Sequence, residues 1–379
     1  MHLTQLRLRN FRNYRSLNLS LEPGLTVLHG QNAQGKTNVL EAVCMLSLGS
    51  SYRTASDREV ICWSAEPEDR LARIEADVRP AEGEPFNLEL LVADLPGFPP
   101  KRAFINRAGK RVSDLPGRLT AVFFGPEQLD LVIGSPHHRR EFLDTALSQI
   151  DRGYQRSLGQ YARVLHQRNQ LLKQSHEREL GPDELLFWDE QMVEHGGAVM
   201  RRRAQALVEL GPLVEHHHRQ LARRGELSLE YDTKLFRGSG GWRRLTEAPS
   251  EEIAAEYRRL LALEHDRELA QGASVVGPHR DDAVIQLDEK LVDKFGSRGQ
   301  QRTTALALKL AELDFLRQHS GEQPVLLLDD VLSELDVERR RALMASVAAL
   351  EQVLLTTTEQ LDLAAVASYE VRAGELLPA

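Results

Sequence analysis

The sequence predicts an α/β protein in which the two chain ends build one lobe and a mainly helical lobe is inserted between them. Three observations predict this. Residues 25–48 read as an apolar strand, a glycine-rich loop and a helix. Residues 325–330 read as a fully apolar strand that ends in two acids. Between residues 137 and 225 the apolar spacing shifts from the strand period of two to a helical period. The expected division is 1–134 plus 272–379 for the first lobe and 135–271 for the second. With 379 residues, 41% hydrophobic and 27% charged, the chain has the composition of a folded protein of two or three domains.

Residues 3–8 and 16–21 alternate apolar and polar, as half-buried strands do. Residues 25–29 form a short apolar strand ending at glycine, and 36–48 carry Val39, Leu40, Val43 and Leu46 at helical spacing. Strands are expected at 71–78, 86–92, 102–105 and 121–124, with a hairpin turn at Asn106-Arg-Ala-Gly109. The helical stretch 137–225 is expected to break at Gly181-Pro182 and at Gly211-Pro212. Residues 237–242 read as a loop and 250–270 as a helix. Strands return at 274–276 and 283–287, with a turn at Asp288-Glu289. A helix over 300–318, a strand over 325–328, a helix over 337–350 and a strand over 352–356 complete the series.

Gly30-Gln31-Asn32-Ala33-Gln34-Gly35-Lys36-Thr37 fits G-x-x-x-x-G-K-T in the strand–loop–helix context that this motif requires. Its glycines let successive N–H groups turn inward onto phosphate oxygens, and the following helix adds the partial positive charge of its N-terminus. Lys36 is placed to reach the β- and γ-phosphates, and Thr37 to ligate Mg²⁺. Asp329 and Asp330 close an apolar strand, where carboxylates are costly unless they meet a cation or a partner. Asp329 is assigned to Mg²⁺ through water, and Asp330 to the attacking water. Ser297, Gly299 and Gln300 stand in a small-residue loop before a helix, a second phosphate-binding shape.

The order of phosphate loop, Ser-x-Gly-Gln-Gln, apolar-Asp-Asp and Ser333-Glu-Leu-Asp336 resembles that of the ATP-binding-cassette ATPases. In that class each nucleotide lies between the phosphate loop of one protomer and the signature of the other, so ATP closes a homodimer. The catalytic glutamine of the class maps to Gln128, with Glu127 as the competing choice. The usual glutamate after the Walker B aspartate is Asp330 here, the signature carries Arg298 where glycine is common, and the switch histidine is replaced within Thr356-Thr357-Thr358.

Along nearly its whole length the chain resembles the RecF family of bacterial recombination mediators, cassette-type ATPases related to SMC proteins. The residues that carry this are Leu8-Arg-Asn-Phe-Arg-Asn-Tyr14, the phosphate loop, the run from Gly125 through Arg139-Arg140 to Asp144, Gly277-Pro-His-Arg280-Asp-Asp282, and Leu326 through Asp336. The resemblance implies an ABC-type P-loop ATPase head with a helical insert, using ATP and Mg²⁺. It implies a weak, DNA-stimulated ATPase used as a switch. It also implies a dimer that binds single- and double-stranded DNA at gaps. Such a dimer acts with RecO and RecR to load RecA onto single strands in recombinational repair, replication restart and SOS induction, with slow hydrolysis resetting it.

Lys and Arg number 48 against 56 Asp and Glu, a net charge of −8, so any DNA contact must be local. Arg7 and Arg9 on the first strand read either as a solvated face or as a phosphate-contacting strip. Arg139 and Arg140, at a helix start, read as a local salt bridge or a DNA contact, and Arg280 as a DNA or interface contact. Two cysteines, Cys44 and Cys62, fit a reducing cytoplasm, and no apolar run suits a membrane helix. A cytoplasmic, nucleoid-associated protein is expected. A transporter-type ATPase would need a membrane partner, and an inactive scaffold would not need Lys36, Thr37, Asp329 and Asp330 together.

Overall fold

A computed structural model describes residues 1–379 except 55, 179–180, 182, 223, 239 and 360–364, and the side chain of residue 334. In chain order, the first unit opens with strands β1 (His2–Phe11), β2 (Tyr14–Ser20) and β3 (Gly24–His29) and helix α1 (Lys36–Leu48). Strands β4 (Leu71–Arg79), β5 (Phe86–Ala93), β6 (Lys101–Ile105), β7 (Ala108–Lys110) and β8 (Ala121–Phe124) follow. Then come α2 (Asp130–Ile133), α3 (Pro136–Ile150), α4 (Arg152–Gln174), α5 (Leu186–Ala222), β9 (Leu227–Asp232), α6 (Arg244–Glu247) and α7 (Ser250–Gln271). Next are β10 (Asp282–Leu287), β11 (Lys290–Leu291), α8 (Val292–Phe295) and α9 (Arg298–Ser320). The chain closes with β12 (Val325–Asp329), α10 (Val337–Val347), β13 (Gln352–Thr357), β14 (Ala367–Arg372) and β15 (Glu375–Pro378).

Two compact units form, one from 1–128 with 308–379 and one from 129–307. The sequence reading sets the second boundary at 271/272, and the structure moves it into α9. The reason is that β10 pairs along its whole length with β9, from Asp282 opposite Asp232 to Leu287 opposite Leu227. Those strands therefore go with the helical unit.

The first unit stacks two six-stranded sheets about α1. One is antiparallel, in the order β2-β1-β4-β5-β6-β7. The other is mainly parallel, in the order β15-β14-β3-β13-β12-β8. Leu3, Leu6 and Leu8 of β1, Ile74 and Val78 of β4, and Leu327 and Leu354 of the parallel sheet bury into one core with Val39, Leu40, Val43 and Leu46 of α1. Covered on both sides, α1 is apolar nearly all round, as a helix between two layers must be. Its fully buried Glu41 is matched by Arg12, whose Nε and Nη2 donate to the carboxylate at 2.9 and 2.6 Å.

In the second unit two expectations fail. Helix α5 runs unbroken through Gly211-Pro212. Leu207, Leu210 and Val214 are buried on one face, while Val208, whose carbonyl receives no N–H from Pro212, is an exposed residue. Residues 274–276 do not form a strand. The Ser274 and Val275 N–H groups are taken by Asn169 Oδ1 and Glu268 Oε1, both at 2.8 Å, and so are unavailable to a ladder. Of the other expected break, Pro182 lies outside the described residues.

The loop that includes Gly277-Pro-His-Arg-Asp-Asp282 is the polar hub of this unit. Arg139 of α3 forks onto Asp282 at 2.7 Å through Nε and Nη2, Tyr161 of α4 donates to His279 Nδ1 at 2.6 Å, and Arg203 of α5 donates to Pro278 O at 2.6 Å. Tyr231 of β9 donates to Asp281 Oδ2 at 2.8 Å. Burial lowers the His279 imidazole to about 4 and raises the Asp281 carboxyl to about 7, the latter against the Tyr231 hydrogen bond and the Arg203 charge.

Candidate nucleotide site

Strand β3 delivers the chain to Gly30, and α1 begins at Lys36. Gly30 and Gly35 have φ of 143° and 116°, and Ala33 has φ of 64°, so the loop turns through left-handed backbone at three points. A Cβ on Gly35 would lie 2.6 Å from Asn13 Nδ2, and one on Gly30 would lie 2.7 Å from Val371 O. The glycines are therefore required by close packing as well as by φ.

Two turns brace the loop. From the β1–β2 turn, Asn13 Nδ2 donates to Gln34 O at 2.7 Å, Tyr14 Oη donates to Gly35 O at 3.0 Å, and Asn38 Nδ2 donates to Asn13 Oδ1 at 2.8 Å. From the β14–β15 turn, Gly374 N donates to Gln34 O at 3.1 Å and Ala373 N to Gln34 Oε1 at 2.7 Å. The Gln34 side chain is thus tied to the hairpin. Gln31, Asn32 and Ala33 form the rest of the curl.

Lys36 Nζ donates to Gly30 O at 2.6 Å and to Gln31 O at 2.7 Å. Burial lowers its ammonium pKa, and the charges of Asp330 and Asp329 oppose that shift. The ammonium is held inside the loop by two of the loop's own carbonyls.

Thr37 lies at the first turn of α1, and its hydroxyl donates to Asp329 Oδ1 at 2.8 Å. Two segments separated by 292 residues meet in that bond. Thr356 of β13 donates to the same oxygen at 2.6 Å, and Asp330 N donates to Thr356 Oγ1 at 3.0 Å. Asp330 itself has φ of 49° and ψ of 26°, a left-handed conformation that aspartate tolerates better than most residues. The donors next to Lys36 are a hydroxyl and a carboxylate, hard oxygens of the kind Mg²⁺ selects, so the residues fit that ion. Gln128 follows β8 in a turn where its N–H donates to Gly125 O at 3.0 Å. Strand β8 pairs in parallel with β12, and a Cβ on Gly125 would lie 3.4 Å from Asp329 Cβ. Gln128 therefore belongs to the same sheet edge as the two acids.

Ser297, Gly299 and Gln300 lie in the second unit, at the start of α9. Ser297 N donates to Gln300 Oε1 at 2.8 Å and Gln300 N donates to Ser297 Oγ at 3.3 Å, a reciprocal capping box. Both side chains are exposed or half-exposed there.

The basic candidates divide into two groups. On the antiparallel sheet Arg7 bridges Glu75 at 3.0 Å and Asp77 at 2.7 Å, and Arg9 keeps 66% of its side chain exposed beside Asp69. In the second unit Arg139 is 7% exposed and its fork is occupied by Asp282, so of its two readings the geometry matches the salt bridge, with Asp282 as the partner. Arg140 donates to Asp281 O at 2.7 Å, and the exposed Arg280 donates to Ser274 O at 3.1 Å. Of the three threonines read in place of the switch histidine, Thr356 is the one bonded to both acids, whereas Asn13 and the 373–374 turn were missed as parts of the site. Asn13 stood inside a quoted motif, whereas a hairpin bond across more than 330 residues leaves no local signal.

A family model described as RecF/RecN/SMC N terminal domain matches residues 2–372. A protein named DNA replication and repair protein RecF, from Chloroflexus aurantiacus, is 41% identical over 99% of this chain and 99% of that one. A solved structure described as the recombination mediator protein RecF-ATP in the RecFOR pathway superposes with a TM-score of 0.90 at 29% identity, covering 100% of this chain and 97% of that one. The Smc head domain from Pyrococcus furiosus, bound to the C-terminal domain of ScpA, gives a TM-score of 0.54 at 14% identity, covering 100% and 96%. That last likeness is one of fold: an ABC-type ATPase head.

Proposed function

The chain belongs to the RecF family of DNA replication and repair proteins, and on that premise we propose that it is an ATP-operated DNA clamp. Two copies close on ATP, each nucleotide held between the phosphate loop of one and the Ser297–Gln300 segment of the other. The closed dimer retains DNA at gaps, and slow, DNA-stimulated hydrolysis reopens it. It works with RecO and RecR to load RecA onto single-stranded DNA in recombinational repair, replication restart and SOS induction. It does so in the cytoplasm, on the nucleoid. Among the described residues no helix is long and apolar enough to cross a membrane.

The observation that carries this reading is the Thr37–Asp329 bond of 2.8 Å beside the buried Lys36. Thr37 and Asp329 would hold Mg²⁺, which when bound neutralises phosphate charge. Lys36 exchanges its carbonyl partners for phosphate oxygens. Asp330 orients the attacking water, with Gln128 at the same edge, and Gly30, Gln31, Asn32, Ala33, Gln34 and Gly35 present the loop amides. DNA meets the exposed guanidiniums of Arg9 and Arg280, with Arg7 and Arg140 in support. With a net charge of −8, that contact is local and weakens as salt rises.

The test is DNA dissociation at one salt concentration with ATP, for the parent, Lys36→Ala and Asp330→Asn. Lys36→Ala should lose ATP-dependent retention. Asp330→Asn should bind ATP, hydrolyse it at least tenfold more slowly and release DNA more slowly, since the backbone conformation at 330 suits asparagine as well. Unchanged release with hydrolysis confirmed lost would show that hydrolysis does not open the clamp.

A further inference from the structure

We infer that Thr356 is a positioning residue for both acids of the nucleotide site, an inference that rests on the ATP and Mg²⁺ reading above. Thr356 is 0% exposed at the C-terminal end of β13, in parallel register with Asp329. Its single hydroxyl works in two directions. As donor it binds Asp329 Oδ1 at 2.6 Å, and as acceptor it takes the Asp330 N–H at 3.0 Å. The Thr356 carbonyl receives the same N–H at 3.2 Å. The proton position of the hydroxyl is therefore set by its partners, not free to rotate.

Two consequences follow from this geometry. Asp329 Oδ1 accepts from Thr37 and from Thr356, which fills its two lone pairs and leaves Oδ2 for a metal-bound water. The Asp330 N–H, anchored on two oxygens of one residue, holds the left-handed turn at φ of 49° that aims the second carboxylate. Residues of this kind, which touch neither metal nor substrate but fix the groups that do, typically change metal affinity 10- to 100-fold when removed. Thr356 takes no part in the parallel-sheet ladder through its side chain, so the hydroxyl can be removed without breaking a strand bond.

The experiment measures nucleotide affinity with Mg²⁺ and with EDTA, using a fluorescent ATP analogue, on the full chain. Thr356→Val keeps the branched shape and deletes the hydroxyl, and Thr356→Ser keeps the hydroxyl and deletes the methyl. The Val variant should lose roughly tenfold or more of the affinity gain that Mg²⁺ gives the parent, while its EDTA affinity stays within about twofold. The Ser variant should restore most of the gain. If the Val variant does not fold, Thr356→Cys, with a thiol that is a weak donor, takes its place in the same comparison. An equal Mg²⁺ gain in parent and Val variant would overturn the inference while leaving the ATP reading intact. A parent that gains nothing from Mg²⁺ would overturn both.

Discussion

At Gly277 a Cβ would lie 2.2 Å from Tyr257 Oη and 2.4 Å from Tyr161 Oη, and φ is 126°. Neither hydroxyl can withdraw: Tyr161 is bonded to His279 and Tyr257 is buried. Gly277→Ala is expected to cost roughly 3 kcal/mol or more through overpacking and backbone strain. Gly159→Ala, in α4 with nothing within 4 Å, should instead gain about 0.5–1 kcal/mol. Thermal unfolding of the two variants side by side gives the comparison. Asp281, a few residues on, carries a pH signature. Its carboxyl is raised to about 7, so the folded state binds a proton that the unfolded state has released above about pH 4. The stability it contributes is full below that pH and is lost as pH rises through about 7, on the order of 4 kcal/mol in all. Relative to Asp281→Asn, the parent should lose roughly 1.4 kcal/mol per pH unit between about pH 5 and 6, and nothing further above 8. Urea titrations across that range would detect a flat difference, which would place the charge elsewhere.

Helix α5 carries a proline inside 37 residues of otherwise regular helix. The sequence reading ended the helix there because proline removes an N–H and crowds the carbonyl four residues back. What overrode it is packing on the opposite face, where Leu207, Leu210 and Val214 are buried, and that contact was not visible in a local window. Pro212→Ala should therefore stabilise the second unit by about 1–3 kcal/mol, read as a higher urea midpoint with unchanged slope. The same contrast separates other elements. Strands with alternating or fully apolar runs, such as β1, β3, β4 and β12, were legible because burial is written into their own residues. Residues 274–276 looked like a strand and are not one, because side chains of Asn169 and Glu268 had already taken the donors. Strand β9, by contrast, was missed inside a stretch read chiefly for its helices.

For the molecule as a whole, the phosphate loop, the two acids and the capping segment at Ser297 were legible because each is a contiguous motif with fixed chemistry. The braces around them were not, because Glu41–Arg12 and Gln34–Gly374 join distant segments. The boundary between the units was misplaced for the same reason. If the clamp is a two-copy sandwich, Ser297→Arg should abolish ATP-driven dimerisation and leave ATP binding by single copies within about twofold. The lost cap costs only about 1 kcal/mol, too little to unfold the unit. Sedimentation with and without ATP decides it, and a normal ATP-dependent dimer would refute the sandwich.

The phosphate loop sits near residue 30, yet two of the bonds that shape it come from residues 373 and 374, and its strand β3 is flanked by β13 and β14. A chain emerging from the ribosome therefore exposes its best-known motif long before that motif can have its final form. A chain cut before residue 373 would keep every contiguous motif and lose both hairpin bonds to Gln34, so it is expected to bind nucleotide more weakly, which titration of a fluorescent ATP analogue would check.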